Sequence, residues 1–446
     1  MVENTEKVTV PKRILSSLIR SISAGVVPRL GAPYIAIGRD DEIAALLSDL
    51  NQVSEGGAAM RFLIGKYGSG KSFLMQLMRG YALERGFLTA DCDLSPERRI
   101  CGSKGAGIAT YRELIRNLSS KTSPEAGALS GIISKWLSSL MSEVASGGIS
   151  PNDPSFTSEV TKRVYNVTRE LENSVGGFDF AYVITEYYRA SVDNDDEKKS
   201  HALRWLRGEY ETKTEARRDL SVNSIIDDDS WYDYIKLWAE FGRKIGYEGL
   251  VVFIDECVNL YKISNRISRE NNYEQILSMF NDTLQGKARG LDIIMGGTPQ
   301  FLEDTRRGLY SYEALRSRLT DSRFGNDGYR DLMGPVIRLR RLSDNELYAL
   351  ITRLTKLHGQ HFSWEPRVTD EDLESFLKSS LSRAGADIMI TPREIIRDYM
   401  SMLNILYQNP NIKASDIIGK IPEVKVQTEA PAVEKRPTFT LSDIEL

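Results

Sequence analysis

Apolar residues follow two patterns along the chain. In some stretches they recur every three to four residues, as in helices, and in others they form short, mostly apolar runs, as in buried strands. Short, mostly apolar runs predict strands at 60–64, 87–92, 250–254 and 291–295, and a shorter one follows at 336–339. Helical stretches lie between them, and strands that alternate with helices are typical of a parallel sheet. The pattern therefore predicts an α/β fold.

Residues 121–240 differ from this pattern, because they have helical periodicity and few β-branched runs. We expect an all-helical insertion between two parts of the α/β core. Its charged run at 193–199 is interpreted as a solvated loop, with a partner surface as the alternative.

After Arg341, capping signals at Ser343, Thr369 and Thr391 predict a helical C-terminal domain. The Pro-containing tail is expected to be extended, and its apolar end at 439–446 is either a docking peptide or a frayed terminus. The predicted units are an N-terminal helix and linker (1–33), the first core part (34–120), the insertion (121–240), the second core part (241–341), a helical lid (342–421) and the tail (422–446).

Composition excludes several classes of protein. The chain has 446 residues with 58 Lys+Arg and 62 Asp+Glu, a net charge of −4, which excludes binding to nucleic acid through bulk positive charge. Three cysteines and three histidines are too few for a disulfide framework or a His-rich metal site, and His358 and His361 are expected at a helix end. No apolar run approaches the roughly 20 residues of a membrane span, and the start lacks a signal-peptide core, so we expect a cytoplasmic protein.

One segment matches the phosphate-binding loop G-x-x-x-x-G-K-[ST] without a mismatch, between a predicted strand and a predicted helix. Its glycines let backbone N–H groups surround phosphates, and the helix adds its positive dipole end. Lys71 is expected to reach the β- and γ-phosphates and Ser72 to supply a hydroxyl to Mg²⁺. The predicted nucleotide-binding residues are Gly65, Lys66, Tyr67, Gly68, Ser69, Gly70, Lys71 and Ser72.

The strand at 250–254 ends in two carboxylates, Asp255 and Glu256. Ligands of open α/β sheets bind at the carboxyl ends of strands, so Asp255 is expected to hold Mg²⁺ and Glu256 to polarise the attacking water. Such a pair is commonplace by itself. The upstream phosphate loop favours the catalytic interpretation, and with it hydrolysis over binding alone.

Further polar residues are candidates for roles at the phosphates. Thr298 follows the strand at 291–295 and either orients the attacking water or is a plain turn residue. Arg393, in the first turn of a lid helix, either contacts the γ-phosphate or faces solvent. Arg316 and Arg318 are either arginine fingers offered to a neighbouring subunit or part of an exposed basic helix.

This set of elements resembles the AAA+ ATPases over about residues 34–120 and 240–405. The Gly38-Arg39 lead-in is similar to the one that packs near the adenine in initiator-type members of that family. Lys71 and Asp255 are 184 residues apart (255 − 71), more than a minimal AAA+ core needs, and the helical insertion accounts for the difference. The resemblance implies ATP and Mg²⁺ as cofactors and an oligomer of like or unlike subunits.

Some segments look like a narrower group, the ATP-binding proteins of BREX bacteriophage-exclusion systems. They are the phosphate loop, the insertion motif at 202–209, the acidic pair at 254–256 and the capped helix start at 391–396. This resemblance implies an initiator-like ATPase that acts in prokaryotic antiphage defence on DNA, alongside other system proteins such as a helicase.

Two other classes of nucleotide-binding protein fail on their own signatures. The Leu-Ser-Gly-Gly-Gln signature of ABC ATPases is absent before the acidic pair, and so is the Asn/Thr-Lys-x-Asp guanine reader of G-proteins after it.

The sequence leaves open whether basic clusters contact DNA phosphates or serve subunit contacts. These clusters contain Arg204, Arg207, Arg306, Arg307, Arg338, Arg340 and Arg341. An aromatic stretch at 231–238 is expected in the core rather than as a base-stacking surface.

The sequence supports two functional hypotheses. The first is a Mg²⁺-dependent ATPase that remodels or loads a defence complex on DNA. The second is a nucleotide-gated switch or scaffold that recruits partners and hydrolyses ATP slowly.

Overall fold

The computed structural model describes residues 10–102, 105–321, 330–382 and 391–418, so the predicted tail at 422–446 lies outside the described residues. The strands in these ranges are β1 (Ala58–Ile64), β2 (Leu88–Asp93), β3 (Leu250–Asp255), β4 (Leu291–Gly297) and β5 (Val336–Arg338). They form one sheet in the order β2-β3-β4-β1-β5 with parallel pairing throughout. The predicted parallel α/β sheet is confirmed.

Helices connect and cover these strands. Over the same ranges they are α1 (Lys12–Ser23), α2 (Asp40–Ser54), α3 (Lys71–Glu84), α4 (Ala106–Arg116), α5 (Leu129–Ser146), α6 (Phe156–Arg169), α7 (Gly177–Asp193), α8 (Asp196–Leu206), α9 (Lys213–Leu220), α10 (Trp231–Lys244), α11 (Val258–Tyr261), α12 (Arg266–Leu284), α13 (Pro299–Glu303), α14 (Glu313–Leu319), α15 (Asp344–Phe362), α16 (Asp370–Ser382), α17 (Pro392–Gln408) and α18 (Ala414–Ile418). Short 3-10 turns lie at Ala32–Ile35, Glu170–Asn173 and Leu309–Ser311. None of the helices described is both long and apolar enough to cross a membrane.

Both faces of the sheet are covered, which explains why the strands are mostly apolar. On β1, Phe62 and Ile64 pack toward α10, α12 and the insertion, while Leu63 packs toward α2 and α3. Successive side chains of a strand point to opposite faces, so each apolar run supplies two cores at once. Because all strand pairings are parallel, the carboxyl ends of all five strands lie along one edge of the sheet.

The insertion contains helices α5 to α9 and most of α10, and its apolar core is continuous with one face of the sheet. Its aromatic stretch is buried there, so the expectation of core residues is confirmed. The prediction of a loop at 193–199 is wrong in part: α7 extends to Asp193, and Asp195 caps α8 by accepting a hydrogen bond from the backbone N–H of Lys198 at 2.9 Å.

One aspartate attaches the insertion to the core. Asp228 Oδ1 accepts hydrogen bonds from the backbone N–H groups of Gly107 and Ile108 at 2.8 and 2.9 Å, and its Oδ2 accepts one from Gly105 at 2.8 Å. These donors are unpaired groups at the start of α4, which a side chain must satisfy. Nearby, Trp231 Nε1 donates to the carbonyl of Ile100 at 3.1 Å. Helix α10, which leads into β3, thereby has a fixed position.

The C-terminal helices, called the lid below, have an apolar core of their own, formed by α15, α16, α17 and, unexpectedly, α1. The N-terminal helix packs against α15 and α17 and shares their apolar core. Capping boxes at Ser343 and Thr391 begin α15 and α17, as predicted.

His361 lies in the last turn of α15, as expected, and His358, one turn earlier, is buried in this lid core. Its Nδ1 accepts a hydrogen bond from Trp364 Nε1, and its Nε2 lies 3.0 Å from Asn404 Oδ1. Burial lowers the pKa of His358, and nearby His361 acts in the same direction. A protonated ring has no acceptor left for Trp364.

Replacement of Asp228 by Ala is expected to lower the free energy of unfolding by about 2 kcal/mol, since charged-acceptor bonds to a helix start are lost. Asp229→Ala is the matched control, because the neighbouring Asp229 is exposed and caps no helix. Urea unfolding of both variants measures the difference. Equal stability of the two variants would contradict the capping role.

We expect the lid to lose stability as the pH falls below about 6.5, the ordinary pKa of histidine. The folded-state pKa of His358 is lower. Below 6.5 the unfolded chain therefore binds more protons than the folded one, and the free energy of unfolding decreases with falling pH. The urea midpoint of the wild type should drop more steeply between pH 7 and 5.5 than that of His358→Gln, and parallel profiles would refute the assignment.

Candidate nucleotide-binding site

The predicted phosphate loop joins the end of β1 to the start of α3. Gly68 and Gly70 have φ angles of +74° and +97°, in the left-handed region that glycine adopts without strain. A Cβ on Gly68 would also lie 2.6 Å from the Cβ of Thr391, the N-cap of α17. The loop therefore needs glycine both for its own turn and for the close approach of the lid.

Lys71 is the first residue of α3, and its ammonium lies against the loop. Nζ donates to the carbonyl oxygens of Gly65 at 3.0 Å and Lys66 at 3.2 Å. Burial lowers the pKa of Lys71, and the negative charges of Asp255 and Glu256 oppose that shift. The ammonium is thus placed between the loop and the acidic pair.

The predicted Mg²⁺ ligands are in direct contact. Ser72 Oγ donates a hydrogen bond of 2.6 Å to Asp255 Oδ2, and Asp255 Oδ1 accepts one of 2.8 Å from the backbone N–H of Glu256. A Cβ on Gly296, at the end of the intervening β4, would collide with this carboxylate. A hydroxyl and a carboxylate so close together are the hard oxygen ligands that Mg²⁺ prefers, so the residues fit the cation.

A third carboxylate lies beside the acidic pair and was missed from the sequence. Asp93 ends β2 directly opposite Asp255 in the strand register. Burial raises the pKa of Asp93, and the charges of Asp255 and Glu256 raise it further. The signal was available, because Asp93 immediately follows the predicted strand at 87–92.

Glu256 has a φ of +56°, a strained conformation for a non-glycine residue.

Thr298 and Arg393 line the same cavity as Lys71 and Glu256. Thr298 is the N-cap of α13, and its Oγ1 accepts a hydrogen bond from the backbone N–H of Phe301 at 3.3 Å. That bond leaves the hydroxyl proton available as a donor. The structure brings both residues to the site, while their roles stay predictions.

The lead-in residues Gly38 and Arg39 contact the phosphate loop and the start of the lid. Arg39 Nη2 donates to the carbonyl of Ser69 at 3.0 Å, and its Nη1 to that of Arg340 at 2.9 Å. Arg39 thus connects the phosphate loop to the segment that precedes the lid helices, and its side chain also lines the cavity. Gly38 packs against Glu346 of α15.

Arg316 and Arg318 are exposed on α14 and are not in the wall of the cavity. Arg318 Nη1 donates to the carbonyl of Ala314, one turn earlier in its own helix, at 2.8 Å. The fold does not bring either arginine to the site of its own chain, so a finger role requires a neighbouring subunit and stays a prediction.

The cavity has a volume of about 240 Å³ and two chemically different ends. One end holds the phosphate loop, the acidic pair and Thr298. The other is apolar and comes from the N-terminal segment and the lid: Ile22, Val26, Val27, Ile35, Ile37, Leu342, Leu350 and Ile396. This arrangement suits a ligand with a phosphate tail and a flat apolar base. The N-terminal wall of the cavity was not predicted from the sequence, and its signal is the amphipathic spacing of α1.

A family model described as BREX system ATP-binding protein BrxC/D matches residues 10–421. The chain belongs to this family. The match agrees with the resemblance of the sequence to the ATP-binding proteins of BREX systems, and the ATP-binding description agrees with the phosphate loop. No curated protein matches the chain.

The BREX family match covers the N-terminal helix, both core parts, the insertion and the lid together. The insertion motif at 202–209 contacts α4 rather than the cavity: Leu206 O accepts a hydrogen bond from Tyr111 Oη at 2.8 Å, and Gly208 O accepts one from Arg112 Nε at 2.7 Å. This motif attaches the insertion to the core.

Gly68→Ala is expected to weaken ATP binding at least about tenfold, because the new Cβ is strained at this φ and collides with Thr391. Gly80→Ala is the control, since Gly80 lies in α3 with open space around a built Cβ. Titration with a fluorescent ATP analogue measures both variants. Wild-type affinity in Gly68→Ala would show that the contact between loop and lid is dispensable.

Proposed function

We propose that this BREX-family chain is a Mg²⁺-dependent ATPase of the AAA+ type, whose hydrolysis of ATP drives assembly or remodelling of an antiphage defence complex on DNA. The observation that carries the proposal is the 2.6 Å hydrogen bond between Ser72 Oγ and Asp255 Oδ2, with Glu256 next in the chain. A site for binding alone needs no carboxylate beyond the cation ligand, so Glu256 favours hydrolysis.

In the proposed mechanism the loop N–H groups and Lys71 bind the β- and γ-phosphates, and Ser72 and Asp255 hold Mg²⁺. The cation, when bound, neutralises charge that develops on the phosphate oxygens. Glu256 accepts the proton of a water that attacks the γ-phosphorus, and the bond to the β-phosphate oxygen breaks to give ADP and phosphate. Thr298 orients that water, and Arg393 contacts the γ-phosphate.

The exposure of Arg316 and Arg318 supports an oligomer, with these side chains completing the site of a neighbouring subunit. The basic clusters give less support to direct DNA contact. Arg338 forms an ion pair with Asp321 at 2.7 Å, and Arg204 forms one with Glu215 at 2.8 Å. Since these guanidinium groups are engaged within the chain, our proposal assigns DNA contact to the assembled complex and its partners, such as a helicase.

Lys71→Ala is expected to abolish ATP binding, whereas Glu256→Gln should bind ATP and lower its turnover by about 100-fold or more, as expected for loss of a general base. Glu248→Gln, an exposed carboxylate before β3, is the matched control. Phosphate release with and without single-stranded and duplex DNA, together with light scattering for mass, measures these effects. Normal turnover by Glu256→Gln would refute the mechanism.

A phage-protection assay of the same variants distinguishes the proposed ATPase from the alternative, a nucleotide-gated switch that hydrolyses ATP slowly. Loss of protection in both Lys71→Ala and Glu256→Gln supports hydrolysis as the working step. Protection that survives Glu256→Gln but not Lys71→Ala would show that bound ATP alone gates recruitment of partners.

A further inference from the structure

Tyr67 is the large side chain of a loop otherwise rich in glycine, and it is 73% exposed. Aromatic side chains contribute to stability mainly through burial, so packing does not account for a tyrosine at this position. Its ring lines the mouth of the nucleotide cavity. Its hydroxyl has one hydrogen-bond partner among the described residues, Arg393 of the lid.

The start of α17 is capped and lies against the phosphate loop. Thr391 and Glu394 form a capping box, with Thr391 N donating to Glu394 Oε2 at 2.8 Å and Glu394 N donating to Thr391 Oγ1 at 3.3 Å. Thr391 also lies so close to Gly68 that a Cβ there would be 2.6 Å away. The backbone from which Arg393 extends therefore lies beside the loop that carries Tyr67.

Arg393 Nη1 donates to Tyr67 Oη at 3.3 Å. Within the described part of the chain no carboxylate lies within ion-pair distance of Arg393. A guanidinium has five N–H donors, so the bond to Tyr67 leaves the others for an anion. An arginine side chain has about 2 kcal/mol of rotamer entropy, and an acceptor that holds it in place reduces what is lost when phosphate binds.

We propose that Tyr67 is a positioning residue. Its hydroxyl holds Arg393 over the phosphate loop, so that the guanidinium is already placed to contact the γ-phosphate when ATP binds. This inference rests on the proposed ATPase function. Tyr67 acts through Arg393, so its effect on turnover should depend entirely on that arginine.

The test is a double-mutant cycle with Tyr67→Phe, which removes only the hydroxyl, and Arg393→Ala. We expect Tyr67→Phe to lower kcat/KM for ATP about fivefold with affinity for an ADP analogue unchanged, and Tyr67→Phe/Arg393→Ala to equal Arg393→Ala alone. Tyr165→Phe, which removes an exposed hydroxyl of the insertion, is the control and should match the wild type. Additive losses, or wild-type kcat/KM in Tyr67→Phe, would overturn the proposal.

A second measurement separates this inference from the ATPase proposal. If the wild type binds ATP without hydrolysing it, the same cycle is read as affinity for a fluorescent ATP analogue that carries a γ-phosphate. Non-additive losses of affinity, absent with the corresponding ADP analogue, would support the role of Tyr67 while hydrolysis fails. Additive losses, or equal losses with ATP and ADP analogues, would reject it.

Discussion

The carboxyl ends of β1 and β3 must reach the same edge of the sheet, because Ser72 Oγ and Asp255 Oδ2 are 183 positions apart in the chain and 2.6 Å apart in the fold. The two strands do not pair with each other, since β4 lies between them and pairs with both. A slip of one residue in either pairing would turn buried side chains to the opposite face and shift the carboxylate by about 3.3 Å. The distance between phosphate loop and acidic pair is thus set by burial on both faces of the sheet.

The helical insertion interrupts the chain between these two strands, yet it keeps that distance because it is built into the core. Asn272 of α12 donates to the carbonyl of Cys101 at 2.7 Å and accepts from its N–H at 2.8 Å, while Asp228 holds the start of α4. The segment after β2 is therefore held by the core on one side and by the insertion on the other. Shared apolar packing continues this connection into α10 and β3.

Local pattern was enough to predict the strands, the phosphate loop, the acidic pair and the capped lid helices, because each depends on neighbours in the sequence. What escaped prediction depends on contacts between distant segments. Gly296 has no local signature, and its need for a bare α-carbon follows only from the carboxylate of Asp255 on the next strand. The amphipathic spacing of α1 predicted a helix but not its partner, since an apolar stripe does not specify which surface covers it.

The nucleotide cavity lies between two apolar cores, that of the sheet and that of the lid with α1. Apolar and polar contacts join these cores near the cavity: Phe73 packs against both of them, Arg39 donates to the carbonyls of Ser69 and Arg340, and Arg393 donates to Tyr67. Polar contacts depend on precise geometry but hold surfaces together less strongly than apolar burial does. A ligand whose phosphates bind the sheet side and whose base binds the lid side would add a further apolar contact across this junction. Its binding energy would then depend on how the lid sits over the loop, which is the physical requirement for nucleotide state to control lid position.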